Sequence, residues 1–277
     1  MDTIELTVSL TPKDPWSDIL ISELSACGFD SFVTTDNGII AYCEASVDFD
    51  EVISDTLLNG EKDVDVAFSK RVIPYQNWNA KWEADFHPVY VEDYATIVAP
   101  FHKELETKGI VVTIQPQMSF GTGHHQTTWM MTKALFELGS MPEHVLDMGT
   151  GTGVLAVVAE KLGAKKTLAI DIEDWSAINA QENAVRNNCK TITCVCGDID
   201  KVEGHSFGLI IANINKNILK AQMETYSSAL TDGATLLLSG FFISDVDEMI
   251  DFAKKFSLKK TTVFSKDERA CIQLTKV

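Results

Sequence analysis

The chain has 277 residues, 45% of them hydrophobic, with a formal net charge of −17. That length suits one large domain or two unequal ones, and no apolar run approaches the ~18 residues that mark a membrane-spanning helix. The charge is uneven: residues 1–70 hold 15 Asp and Glu against 3 Lys and Arg, and the remainder 25 against 20. Phosphates would be repelled by that first part, so no direct nucleic-acid readout is expected. It suits a basic partner, or it is plain solubility. Six cysteines (Cys27, Cys43, Cys189, Cys194, Cys196, Cys271) show no C-x-x-C spacing. Cys194 and Cys196 alternate within a strand-like run and read as packed thiols rather than metal ligands, so no metal site and a reducing cytoplasm are expected. The start, Met1-Asp2-Thr3-Ile4-Glu5, is acidic and alternating, unlike a signal peptide.

Ile4, Leu6, Val8 and Leu10 alternate as in a half-buried strand, which Pro12 ends. Trp16, Ile19, Leu20, Leu24 and Cys27 recur at helical spacing, with Gly28 at the stop. Strands at 32–35 and 39–42 flank Asp36-Asn37-Gly38, a hairpin signal. Residues 50–58 read as a second helix, and Val64, Val66 and Phe68 alternate again. The order β-α-β-β-α-β predicts a small α+β ferredoxin-like domain over 1–70, read as a recognition module. Residues 71–90 read as a linker helix. Trp78, Trp82 and Phe86 lie four apart on one face, an aromatic stripe that packs the connector or binds substrate. Residues 89–98 and 110–114 read as further strands.

Residues 118–128 (Met-Ser-Phe-Gly-Thr-Gly-His-His-Gln-Thr-Thr) precede an amphipathic helix expected over about 129–138. One reading is an N-cap and loop, with Thr127 or Thr128 as the cap. The other is a loop folded over a ligand, with Phe120, Thr122 and Thr128 reaching it. Adjacent His124 and His125 would face opposite ways, which disfavours a metal pair.

Residues 144–155 (His-Val-Leu-Asp-Met-Gly-Thr-Gly-Thr-Gly-Val-Leu) read as a buried strand, a glycine turn and a helix start. Gly149, Gly151 and Gly153 let the backbone turn tightly and approach a ligand with no Cβ in the way. A nicotinamide dinucleotide needs G-x-G-x-x-G, which Val154 breaks. The pattern D-x-G-x-G-x-G resembles the cofactor loop of class I S-adenosylmethionine-dependent methyltransferases. A second strand ends in Asp171, where a carboxylate accepts two hydrogen bonds from a ribose diol.

Helix and strand then alternate: helix 178–187, strand 191–196, strand 207–215, helix 218–230, strand 234–239, helix 244–256 and strands 258–264 and 270–275. Asp198 follows the first of these strands, as an acceptor for an adenine amino group or as an ordinary turn acid. The strand at 207–215 is apolar on both faces, as a central parallel strand is, and Asn213 lies near its carboxyl edge. The last two strands, joined by a short turn, must be antiparallel. The fold class expected is α/β: a seven-stranded Rossmann-like methyltransferase sheet over 91–277, with the ferredoxin-like domain before it.

Taken together, these residues resemble the PrmA family of methyltransferases, which modify protein eleven of the large ribosomal subunit. The resemblance covers essentially the whole chain. It rests on Trp82, Phe86 and Pro88, on F-G-T-G-x-H-x-T-T at 120–128, on D-x-G-x-G-x-G at 147–153, on I-D-I at 170–172 and on A-N-I at 212–214. His124, Gln126 and the run 215–219 depart from the family pattern. The resemblance implies S-adenosylmethionine as cofactor, contacts on Thr128, Gly149, Asp171 and Asn213, and lysine side chains and the N-terminal α-amine of that ribosomal protein as acceptors. No obligatory general base is evident; His125 either carries off the proton or orients its loop, and Asn213 holds the acceptor nitrogen or the cofactor. The alternatives are a methyltransferase for another basic protein or a small molecule, and a non-catalytic S-adenosylmethionine-binding assembly factor.

Overall fold

The structure, a computed structural model, describes residues 2–47, 52, 61–117 and 119–277, with the backbone alone at 78, 79 and 81. Two compact units divide it, Met1–Asp85 and Phe86–Val277.

The first unit is built on strand β1 (Thr3–Thr11), which pairs antiparallel with β3 (Gly38–Glu44) and β4 (Asp65–Ile73). With β2 (Phe29–Thr35) the order is β2-β3-β1-β4. Alternation places Ile4, Leu6, Val8 and Leu10 on the buried face against Leu20 and Leu24 of helix α1 (Trp16–Ala26). The helix stops where expected: the Cys27 N–H returns to the Glu23 and Leu24 carbonyls, and Gly28 follows at φ +95°. The expected helix at 50–58 falls outside the described residues, apart from Val52.

β4 continues to Ile73, three residues past the boundary expected at 70. Helix α2 (Trp78–Asp85) starts with the Asn77 side chain accepting from the Ala80 N–H at 2.9 Å. It ends before His87-Pro88, because the residue ahead of a proline disfavours helical geometry. Phe86 therefore leaves the expected stripe: it lies beyond the helix, with its ring 4.4 Å from His124 and 5.7 Å from Phe101.

The second unit opens with a three-stranded sheet, β5 (Val89–Val91), β6 (Ala95–Val98) and β7 (Ile110–Thr113). The continuous strand expected over 89–98 is instead a tight hairpin. Glu92 turns at φ +51° and the Tyr94 N–H returns to the Val91 carbonyl at 3.0 Å, so β5 and β6 run antiparallel. Helix α3 (Gln126–Glu137) begins three residues earlier than 129.

The larger sheet follows: β8 (His144–Met148), β9 (Lys166–Asp171), β10 (Ile192–Cys196), β11 (Phe207–Asn213), β12 (Leu230–Phe242), β13 (Leu258–Lys266) and β14 (Arg269–Lys276). Its order is β10-β9-β8-β11-β12-β14-β13, parallel except for the pairings of β14. Helices α4 (Val154–Lys161), α5 (Asp174–Arg186), α6 (Lys216–Ala229) and α7 (Val246–Ala253) join the strands. In β11, residues 209–212 are all buried, so alternate side chains feed two cores: Ile210 and Ala212 pack towards α6, and Leu209 and Ile211 towards α3 and α4. The carboxyl ends of β8, β9, β10 and β11 thus line one edge, where open α/β sheets bind ligands. Among the described residues no helix is long and apolar enough to cross a membrane.

Candidate active site

At the end of β8 the chain turns through the glycine loop and is pinned from several sides. The Gly149 and Thr150 N–H groups donate to the Ile170 carbonyl at 2.8 and 3.0 Å, and Gly151 N–H donates to Asp171 Oδ2 at 2.9 Å. Asp171 Oδ1 accepts from the Glu173 N–H at 3.1 Å. Beneath the loop, Asp147 is fully buried and accepts from Thr150 Oγ1 (2.7 Å) and the Ala156 N–H (3.2 Å). Burial pushes its carboxyl up to about 6, against the pull of those two bonds.

The missing Cβ atoms also make room for the chain's own loops. A Cβ at Gly151 (φ +56°) would stand 2.1 Å from the Phe120 carbonyl oxygen, and one at Gly149 (φ +71°) 2.2 Å from Ile214 Cγ2. The cleared space is filled by the chain's own loops. The Thr152 N–H donates to the Phe120 carbonyl at 2.9 Å and Thr152 Oγ1 to the Gly121 carbonyl at 2.6 Å. The F-G-T-G segment is thereby fastened across the glycine loop. Gly153 sits at the N-cap of α4, away from the cleft wall.

Between the glycine loop, the ends of β9 and β11 and helix α6 lies a cavity of about 850 Å³. Phe120, Gly149, Gly151, Asp171, Asp198 and Asn213 all line it. Thr122, Thr128 and His125 do not. Thr122 Oγ1 faces His124 Nδ1 at 3.3 Å. Thr128 is fully buried and its Oγ1 accepts from Asn213 Nδ2 at 3.5 Å, so it reaches the cavity through that asparagine. The Asn213 Oδ1 atom is buried and, among the described residues, has no hydrogen-bond partner. Asp198 caps a short 3₁₀ turn: its Oδ1 accepts from the Ile199 N–H at 2.7 Å and from Gln222 Nε2 at 2.9 Å.

The helix cap expected at Thr127 or Thr128 is His125. Its Nδ1 accepts from the Thr127 N–H at 3.3 Å and lies 2.7 Å from Thr127 Oγ1. Both threonines fall inside the first turn, which explains the early start of α3. Burial, then the Arg269 charge, lowers the His125 pKa. Sequence reasoning missed Met148, Ile172, Trp175, Ile199 and Ile218 on the cavity wall. Their signal was weak: Ile172 and Trp175 follow the terminal acid of a strand, and both are more than half exposed.

The wall chemistry tests the cofactor. Among the described lining residues are the carboxylates Asp171, Glu173 and Asp198 and no Lys, Arg or His. A pyrophosphate would find acids and no cation there, whereas a sulfonium cation, a ribose diol and a flat base meet complementary groups. The residues fit S-adenosylmethionine. A glycine loop, a strand-terminal acid and an acidic, otherwise apolar cleft at the carboxyl edge of a mixed sheet define an α/β methyltransferase.

The comparisons narrow the class. The family model for ribosomal protein L11 methyltransferase (PrmA) matches residues 22–277. The ribosomal protein L11 methyltransferase of Porphyromonas gingivalis is 39% identical over 93% of this chain and 90% of its own, and that of Phocaeicola vulgatus 34% over 94% of each. The crystal structure of the ribosomal protein L11 methylase from Lactobacillus delbrueckii subsp. bulgaricus is 26% identical, with a TM-score of 0.64 over 69% of this chain and 99% of that one. The chain belongs to the ribosomal protein L11 methyltransferase (PrmA) family, and is an S-adenosylmethionine-dependent methyltransferase.

Proposed function

We propose that this enzyme methylates amines of ribosomal protein L11, namely lysine side chains and the N-terminal α-amine. The observation that carries the reading is a cavity wall whose charged groups are all acids, beside a buried, unpartnered Asn213 Oδ1. When bound, the cofactor supplies a methyl group on a positively charged sulfur, open to in-line attack. Asp171 takes the ribose hydroxyls, with the Gly149 and Gly151 backbone beside it and Phe120 closing the loop side. Asn213 Oδ1 accepts from the acceptor amine and aims its lone pair. Thr128 Oγ1 accepts from the Asn213 amide and fixes that side chain at the cavity wall. Asp198 shapes the base end from its turn, with Gln222. Thr122 and Gly153 set the loop geometry.

A lysine with a pKa of about 10.4 is neutral only about one part in 2,500 at pH 7, a cost of about 4.6 kcal/mol. A nearby cation and desolvation both lower that pKa, and alignment supplies proximity. His125 is a positioning residue in this reading, because its Nδ1 is committed to the helix cap.

The strand order β2-β3-β1-β4 of the first unit supports a ferredoxin-like recognition domain, its acidic surface complementing a basic ribosomal protein. The second unit, with its seven-stranded sheet, is the catalytic domain, and the segment around α2 is the connector. A ribosomal protein as substrate and six unpaired cysteines favour the cytoplasm.

Mass spectrometry of L11 incubated with the enzyme and S-adenosylmethionine tests the proposal. Mass gains in steps of one methylene on lysines and the N-terminus are expected. No gain, with the cofactor still bound by calorimetry, would move the search to another acceptor or to a binding-only role.

A further inference from the structure

A second cavity, of about 400 Å³, opens at the opposite edge of the large sheet. His144, Lys166 and Phe207 are the first residues of β8, β9 and β11, and Thr193 is the second of β10; all four line it, with His205 and Ser206 from the loop before β11. The strand that begins at Lys166 ends at Asp171, so the two cavities stand about 17 Å apart at ~3.3 Å per residue. They are separate sites on the same strands.

The lining of this cavity is unlike that of the first. In a chain of net charge −17 it gathers one lysine and two histidines, with hydroxyls from Thr193 and Ser206. Phe207 and Leu168 supply an apolar floor, and the His205 ring lies near-parallel to Phe207, tilted 22° with centroids 6.1 Å apart. A volume of this size, apolar walls and a few convergent polar groups are the marks of a small-molecule site.

We propose that this cavity binds a small organic anion, with its carboxylate or phosphate between Lys166, His144 and His205 and its flat apolar body on Phe207 and Leu168. The ammonium and imidazole N–H groups donate to the anion. The ligand touches the starting ends of the four strands whose far ends form the cofactor cleft, so it is placed as an effector rather than a reactant.

The chain has six histidines, which makes the test local. Imidazole signals of the full-length protein are followed by NMR during titration with phenyl phosphate. His144 and His205 should shift saturably while His87, His102, His124 and His125 hold still. Lys166→Gln should weaken binding about tenfold, by loss of a charge-assisted bond. His144→Asn removes one imidazole donor at the exposed start of β8, so it should weaken binding about fivefold, read from the His205 signal, without lowering the melting temperature. No shift, or equal movement of all six signals, would overturn the site. Inorganic phosphate binding as tightly as phenyl phosphate would overturn the organic half of the assignment. Unchanged affinity in both variants would overturn the anion geometry.

Discussion

The glycine-loop wall of the cofactor cleft is held by its own hydrogen bonds, whereas the Asn213 wall presents a buried acceptor that has none. Gly149, Thr150 and Gly151 all donate to β9, and Asp171 is fixed by two backbone N–H groups. Across the cavity, among the described residues, Asn213 Nδ2 makes a long bond to Thr128 and Oδ1 has no partner. One wall is preorganised to bind, which lowers the ordering cost on association. The other keeps an interaction in reserve, and a bond made only as the acceptor aligns raises the rate rather than the affinity. Binding and transfer should therefore fail separately when the two walls are altered.

Asp171→Ala attacks the first wall hardest. It removes a charged acceptor for the ribose and unties the Gly151 N–H, so cofactor affinity should fall by about 3–4 kcal/mol in calorimetry with S-adenosylhomocysteine. Asp147 supports the same wall from below and gives a pH signature. Its folded pKa of about 6 lies above the ordinary 3.8, so the ionised carboxyl weakens folding at neutral pH and the loss is relieved as pH falls through 6 towards 3.8. Asp147→Asn should gain on the parent by about 2–3 kcal/mol in denaturant melts at pH 8, and the gap should close near pH 4. A gap that ignores pH would remove Asp147 as its source.

The second wall answers differently. Asn213→Ala should cost about 2 kcal/mol in the transfer step, read from single-turnover rates, with little change in cofactor affinity. For His125 the choice is between cap and proton carrier. His125→Ala should lose about 1 kcal/mol of stability, whereas His125→Asn, a good cap with no titrating ring, should keep both stability and rate. A rate collapse in the Asn variant would assign His125 to proton transfer. The smallest effect belongs to Lys216, whose Nζ ties the segment after Asn213 to Asp245 at 2.7 Å and Glu248 at 3.0 Å. Lys216→Met should lower the melting temperature only slightly, since these groups are solvated.

Much of this was legible in the chain. Alternation at Ile4, Leu6, Val8 and Leu10, the doubly apolar run of β11 and the glycine loop with its distant Asp171 are local patterns, and local patterns specify local structure. What escaped the sequence depends on partners far along the chain. The turn at Glu92 carries no glycine or proline to announce it. The cap at His125 falls outside the usual set of Ser, Thr, Asp and Asn. The glycines read correctly as close-approach positions, yet what approaches is Phe120 and Ile214, contacts set only once the loops meet. The unpartnered Asn213 Oδ1 and the cavity at the amino edge of the sheet have no sequence signature at all.

The most direct test measures cofactor affinity and single-turnover methyl transfer to L11, at saturating cofactor, in Asp171→Ala and Asn213→Ala side by side. The account predicts a double dissociation: Asp171→Ala loses affinity and recovers much of its rate once saturated, while Asn213→Ala binds normally and transfers slowly. Parallel losses of affinity and rate in both variants would contradict it, and would mean that the two walls act as a single binding surface.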